Sequence, residues 1–317
     1  MILGIDTSCY TTSVALVSEE KTLLADERLL IPVEHGCCGV KQSEAVFSHV
    51  KQLPQCLNQL WKNFNGAGLT GICASVQPRP LAASYMPVFC VGKSLGESLA
   101  AVLSLPFYET THQEGHLMSA LWSAAVELDD FLAIHLSGGT TELLRVKRLK
   151  AGFEIQLLGT SDLAAGQMVD RVGVALGLPF PAGPALEKLA SEVEKTEIKL
   201  PISVRGLDVS FSGPESQAQR LLKAGAAPDE LATAVFELIA ESLVRLILNA
   251  KAETGVKDVL LAGGVAANLR IKATLEYRLD REVKLAFAAP EYSGDNAVGV
   301  ALLGLAKQRV DKIHGRD

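Results

Sequence analysis

Two histidines four residues apart, in His112-Gln113-Glu114-Gly115-His116, are the residues of this sequence best spaced for chemistry. On a helix that spacing puts both imidazoles on one face, close enough to share a metal ion. The run that follows, LMSALWSAAVEL from Leu117 to Leu128, continues such a helix. A zinc protease of the HExxH kind needs glutamate directly after the first histidine, and Gln113 stands there instead. A lone HxxxH pair belongs more often to surface or packed histidines than to a metal, so a further ligand is needed. Asp295, in Tyr292-Ser293-Gly294-Asp295-Asn296, offers a hard one at the mouth of a final apolar helix. It reads equally as an ordinary N-cap, and both readings can hold, because a helix N-terminus at a cleft also attracts anions. The remaining four histidines have no partner in the sequence.

Small-residue turns are the second chemical feature. Ser137-Gly138-Gly139 follows the apolar run from Phe131 to Leu136 and leaves backbone N–H groups open to phosphate or carboxyl oxygens. An ordinary hairpin turn has the same composition. Gly263-Gly264, between Val259-Leu260-Leu261 and Asn268, reads as a nucleoside platform or as a helix start with glycine for close packing. Asp170-Arg171, on a helix from near Leu163, reads as a solvated ion pair.

Elements that could position these residues occur in two similar sets. Apolar runs at residues 2–5, 14–17 and 22–29 flank the polar turn from Asp6 to Thr12, a β-meander whose first turn is expected to expose hydroxyls and N–H groups. Helical periodicity from Lys41 to Trp61 is interrupted at Pro54, and a buried strand (71–76) and a helix (92–103) follow. The opening pattern returns at Phe131 as strand, Ser137-to-Thr141 turn, strand, with a third strand at 154–158. A long helix from Pro228 to Ala252 and an apolar helix from Asn296 to Val310 complete the chain. Two such units predict two lobes facing each other across a cleft. One is expected to span residues 1–108, with 296–317 packing back onto it, and the other 109–295.

Composition sets the outer limits. The chain has 317 residues, 48% apolar and 21% charged, enough to bury sizeable cores. A net charge of −6 argues against gripping nucleic acid through a broad basic surface. The start lacks the basic and long apolar segments of a signal peptide, and the most apolar stretch, Leu95 to Pro106, is too short to span a bilayer. All six cysteines lie in the first third with no CxxC pair, which fits a reducing compartment. A cytoplasmic protein with no membrane partner is expected.

In their order along the chain these motifs resemble the TsaD/Gcp/Kae family, which transfers a threonylcarbamoyl group from its adenylate to the adenosine beside the anticodon of certain tRNAs. The resemblance runs from GIDTSC (4–9) through HQEGH, SGGTTEL (137–143), SDLAAGQMVDRVGVALGLPFPAGP (161–184), VSFSG (209–213) and LLAGGVAANLR (260–270) to SGDNAVGVA (293–301). It implies the two-lobed α/β architecture of actin, sugar kinases and acetate kinase (the ASKHA fold). It also implies one divalent transition metal, Fe2+ or Zn2+, on His112, His116 and Asp295. An adenylate or ATP-type nucleotide would lie on the backbone of His135, Leu136, Ser137, Gly138 and Gly139, with Asp170, Gly183 and Asn268. The implied partners are tRNA and a paralogous subunit in a hetero- or homodimer. No catalytic side chain is assigned.

The departures from the family pattern are Tyr10-Thr11 for an acidic pair, Gln77-Pro78-Arg79-Pro80-Leu81 for a glycine–proline–glycine loop, Thr140 for histidine, Gln167 for glutamate and Glu215 for lysine. Tyr10, Thr11 and Glu215 are expected at the phosphate end of the cleft. They mark a divergent paralogue and leave two alternatives to a tRNA-modifying transferase. One is a non-catalytic nucleotide- and metal-binding partner subunit, the other a small-molecule carbamoyltransferase.

Overall fold

The computed structural model describes residues 1–8, 10–33, 40–62, 64, 68–81 and 83–315. Cys9, His35, Cys37 and Cys38 lie outside them. Cys56, Cys73 and Cys90 are free thiols, and burial pushes the first two up to about 11 and about 12. No helix among the described residues is long and apolar enough to cross a membrane.

The opening alternation folds into an antiparallel meander of β1 (Ile2–Asp6), β2 (Thr11–Val17) and β3 (Leu23–Leu30). β4 (Gly71–Gln77) and β5 (Phe107–Thr111) extend it in parallel, giving the order β3-β2-β1-β4-β5. Between β3 and β4 lies α1 (Gln42–Trp61), and between β4 and β5 lies α2 (Phe89–Leu103). α1 continues through Pro54, where the sequence reading expected an interruption.

A second sheet repeats the plan. After α3 (His112–Ser123), β6 (Asp130–Leu136), β7 (Thr141–Leu149) and β8 (Gly152–Thr160) form the meander. α4 (Ala165–Ala175), α5 (Gly183–Ala190), the small hairpin β9 (Ser203–Arg205) and β10 (Asp208–Ser210), α6 (Ser212–Lys223) and α7 (Pro228–Thr254) follow. β11 (Asp258–Ala262) then pairs parallel with β6, and β12 (Lys284–Phe287) with β11. α8 (Leu269–Leu279) lies between those two strands, and α9 (Pro290–Ser293) and α10 (Val298–Ile313) end the chain.

The space between the two sheets is filled by α3 and α10. Strand alternation sends Leu3 and Ile5 of β1 against Leu53 and Leu60 of α1, and Ile2 against α10. In the second sheet Leu132, Ile134 and Leu136 meet α7, while Phe131 and Ala133 meet Leu117, Ala120 and Leu121 of α3. Central strands covered on both faces read as unbroken apolar runs, which is what 2–5 and 131–134 are.

The approach of α10 leaves no room for side chains at two glycines. A Cβ on Gly299 would lie 1.9 Å from the Gly115 carbonyl oxygen of α3, and one on Gly4 would lie 2.5 Å from that of Ala297. Asp295, just ahead of α10, is carried by this contact to the first turns of α3. At the far end of the second sheet Asp162 accepts hydrogen bonds from the Ser210 and Ser212 hydroxyls and the Phe211 and Ser212 N–H groups. It thereby ties the end of β8 to the start of α6.

Gly299→Ala should lower stability by about 1–3 kcal/mol through overpacking. An unchanged denaturant midpoint would show that the α3–α10 crossing opens at no cost. At Asp162 burial pushes the carboxyl up, but the two hydroxyls and two N–H groups win and hold it at about 2. A carboxyl depressed in the folded state stabilises above its unfolded value, 3.8, and loses that contribution as pH falls to about 2. The midpoint of the wild type should therefore drop more steeply than that of Asp162→Asn between about pH 4 and pH 2. Parallel profiles would show that the carboxyl is not depressed.

Candidate metal centre and ligand cleft

Thr111 sets the angle of α3. Its hydroxyl accepts from the Glu114 N–H, and the Glu114 carboxylate accepts from the Thr111 N–H, a reciprocal capping box. His112 and His116 therefore point from the first turns of the helix into the gap between the sheets. Their Nε2 atoms are 3.1 Å apart, and Asp295 Oδ1 is 3.2 Å from His116 Nε2 and 3.5 Å from His112 Nε2. Ligand atoms held about 2.0–2.2 Å from one ion are themselves about 3.0–3.5 Å apart, so this triangle fits a shared metal. Asp295 does not act as the cap of α10, which was its alternative reading. Ala297 is the N-cap residue, and the Asn296 Oδ1 just before it accepts from the Val298 N–H.

A fourth side chain orients the set. His112 Nδ1–H donates to Asp6 Oδ2 at 3.0 Å, which turns the Nε2 lone pair toward the other ligands. Ser8 and Ser75 hydroxyls also donate to Asp6. Burial alone would raise both carboxyls, yet His112 and its hydrogen bond hold Asp6 low, and His116 and His112 do so for Asp295. Burial opposes charge on His112, but Asp6 and then Asp295 raise it to about 9, while burial and His112 lower His116. With His112 charged and His116 neutral, the two carboxylates leave the centre one negative charge, and an ion taking the place of the His112 proton would face two carboxylates. Two imidazoles and a carboxylate suit iron, zinc or manganese.

His112 and Asp295 line a cleft of about 840 Å³, while His116 and Asp6 are not among its described lining residues. Of the expected nucleotide residues, His135, Ser137, Gly138, Gly139 and Asp170 line it. A Cβ on Gly138 or Gly139 would meet nothing within 4 Å, so the turn lies open, and α4 presses behind it through Gly166. Asp170 is not the solvated partner of Arg171 that the sequence indicated. It is buried and accepts from Ala182 N–H at 2.7 Å; burial raises its pKa and this bond offsets part of the rise. Leu136, Gly183 and Asn268 are not among the described lining residues. Leu136 is in the core, Gly183 begins α5, and Asn268 caps α8 through Oδ1 while its buried Nδ2 has no partner.

Other expectations are corrected here. The first polar turn hides its hydroxyls: Thr7 donates to Val88 O, Ser8 to Asp6, and Thr12 to Gln52, and all three residues are buried. Tyr10 and Thr11 do reach the cleft, where the Tyr10 ring meets Phe180 edge-on at 5.5 Å. Glu215 does not line it among the described residues and accepts instead from Gln219 on α6. His135 does have a neighbour, since its ring lies 4.7 Å from that of His116. Burial, then His116, His112 and Arg79, holds His135 neutral, well below the ordinary range.

One ion pair had no counterpart in the motif reading. Arg79 Nη2 meets Glu142 Oε1 at 2.6 Å, and Gln113 Nε2 donates to Glu142 Oε2 at 2.7 Å. Burial raises the Glu142 pKa, with Arg79 and Gln113 acting against it. Gln113, on α3, thus serves a carboxylate on β7. The signal lay in strand alternation, because His135 and Glu142 are directly opposite in the β6–β7 register.

The wild type should bind about one equivalent of Zn2+ or Fe2+, and a His112→Ala/His116→Ala double variant should bind none. Asp6→Asn should weaken binding by about 10–100-fold, the usual cost of removing a carboxylate behind a histidine ligand. Equal metal content in the double variant and the wild type would remove the site from consideration.

Solved structures share the fold at low identity. HypF of T.kodakarensis superposes with a TM-score of 0.63 at 16% identity over 98% of this chain and 47% of that one. The (R)-2-hydroxyglutaryl-CoA dehydratase component A of Acidaminococcus fermentans gives 0.60 at 16% over 97% and 98%. A ROK family glucokinase from Streptomyces griseus, solved with glucose and AMPPNP, gives 0.56 at 13% over 96% and 98%. These likenesses establish the ASKHA architecture and nothing finer. Residues 31–302, which hold HQEGH, the glycine turn and Asp295, match the family model described as TsaD: tRNA N6-adenosine threonylcarbamoyltransferase, and the chain belongs to that family.

Proposed function

We propose that this chain is a metal-dependent transferase that moves a threonylcarbamoyl, or a related carbamoyl or acyl, group from an adenylate to an amine. The acceptor is the N6 amine of the tRNA adenosine beside the anticodon. The observation that carries this reading is the convergence of His112, His116 and Asp295 within hydrogen-bonding distance of one another, two of them, His112 and Asp295, lining the same cleft as an open glycine turn. A divalent ion bound there supplies Lewis acidity toward the carbonyl of the transferred group. The open backbone from Ser137 to Gly139 receives the adenylate phosphate, whose charge its N–H groups stabilise.

Positive charge in the cleft comes from Arg79 and Arg171, both of which line it. Arg79 is paired with Glu142, which leaves Arg171 as the cleft arginine with no ion pair among the described residues. Tyr10 and Phe180 close one side of the cleft and exclude water from the bound adenylate. A net charge of −6 leaves the grip on tRNA to a paralogous subunit in the cytoplasm.

The test uses threonylcarbamoyl-adenylate, unmodified tRNA and the metal-loaded chain, with and without partner subunits, reading AMP release and modified adenosine. Turnover should be slow for the chain alone, rise with partners, and fall at least ~100-fold in His116→Ala, the scale of losing electrostatic stabilisation in the transition state. Undiminished AMP release in that variant overturns the metal role. Tight adenylate binding with no transfer under any condition favours a non-catalytic partner subunit, a reading supported by the Arg79–Glu142 pair standing in the cleft.

A further inference from the structure

Arg79 lies in the loop where the family pattern has only glycine, proline and glycine, so the charge it brings to the cleft belongs to this chain. Its backbone is fixed on both sides. The Pro78 carbonyl accepts from the Gln113 N–H at 3.0 Å, which fastens the loop to the first turn of α3, beside His112. The Arg79 N–H donates to the Ser84 hydroxyl at 3.2 Å. From the end of β4 in the first sheet the side chain reaches Glu142 on β7 in the second, Nη2 to Oε1 at 2.6 Å.

The two sides of that ion pair are unequal. The Glu142 side chain is 2% exposed and gives its other oxygen to Gln113 Nε2, whereas the Arg79 side chain is 40% exposed and lines the cleft. Nε and Nη1 of Arg79 have no acceptor among the described residues. A guanidinium presents five N–H groups in a planar fork that matches a carboxylate bidentately. Glu142 holds one end of the fork from within the wall, and the rest faces the cleft. Glu142 also cancels part of the charge, so recognition there comes from hydrogen-bond geometry as much as from net attraction.

Location selects the anion. Glu142 is directly opposite His135, whose ring is 4.7 Å from that of His116, and Gln113 adjoins His112. Arg79 is thereby tied to the side of the cleft that holds the ligand triangle, where the transferase reading puts the transferred group; the adenylate phosphate has the glycine turn. We propose that Arg79 is a specificity-determining residue that receives a carboxylate carried by the transferred group. The donor is then the adenylate of an N-carbamoylated amino acid, and a bare carbamoyl group leaves the fork unused. This rests on the transferase reading and narrows what that reading left open between threonylcarbamoyl, carbamoyl and acyl groups.

The test compares equilibrium binding of three probes to the full chain with Zn2+ present. They are AMP, a stable threonylcarbamoyl-adenylate analogue, and the same analogue with a carboxamide in place of the carboxylate. The wild type should prefer the carboxylate by about 10–100-fold, the scale of a hydrogen bond to a charged group. Arg79→Gln should lose that preference while AMP affinity stays at the wild-type value, and Arg79→Lys should keep part of it. Because Arg79→Gln strands a buried carboxylate, Arg79→Gln/Glu142→Gln is measured beside it and decides the question if the single variant fails to fold. Equal wild-type affinity for the two analogues overturns the assignment and leaves the transferase reading standing. A preference that survives in the folded double variant overturns it as well. Loss of AMP affinity with the preference intact gives Arg79 to the phosphate and likewise overturns it. A wild type that binds none of the three probes overturns the transferase reading and the assignment together.

Discussion

Two carboxylates, Asp6 and Asp295, lie in the interior close enough to repel each other, and the surrounding structure keeps both ionised. An isolated buried carboxylate would take up a proton rather than bear the desolvation cost. Here Ser8, Ser75 and His112 solvate Asp6, while His116 and His112 do the same for Asp295. No single element supplies these groups: they come from β1, β4, α3 and the segment before α10. The sheet joins β1 to β4, and the glycine contacts of α10 with α3 and β1 do the rest. The tight crossing at Gly299 thus acts on the charges as much as on the packing.

The two sheets share one plan and put their first turns to different uses. In the first meander the turn between β1 and β2 has hydroxyl residues and no glycine, and its polar groups bond inward to Val88, Asp6 and Gln52. In the second, Gly138 and Gly139 leave the turn between β6 and β7 open, with α4 buttressing it from behind. One turn builds the support for the His112 imidazole and the other leaves backbone open to the cleft. Same topology, opposite exposure.

Local signals in the sequence carried the strands, the duplicated meander and the HxxxH spacing, because each depends on residues a few positions apart. Asp295 is 179 residues from His116, and no periodicity reaches that far; the residues alone left it open between ligand and helix cap, and the motif resemblance joined the two. Strand alternation does contain the information that His135 and Glu142 face α3, but the turn's glycines drew the reading to the backbone instead. Arg79 was legible as a departure from a loop pattern, whereas its partner depended on the register of another sheet. Asp170 looked solvated beside Arg171 because adjacency in sequence says nothing of Ala182, whose N–H it accepts. Pro54 was read as a break, and tertiary cover from the sheet keeps α1 whole around it.

The wide separation of these groups along the chain also fixes when the centre can come into being. β1 stands at the N-terminus of the first sheet, and the helix that seals it, α10, is made from residues 298–313. While a ribosome is still extending the chain, His112 and His116 have emerged but the aspartate that completes their triangle has not. The growing first sheet also lacks the cover for one of its faces. Long-range closure of this kind is slow and comes late in folding. A site that used all three groups would therefore be incomplete until residue 295 is in place, and a chain stalled before it presents the two histidines alone.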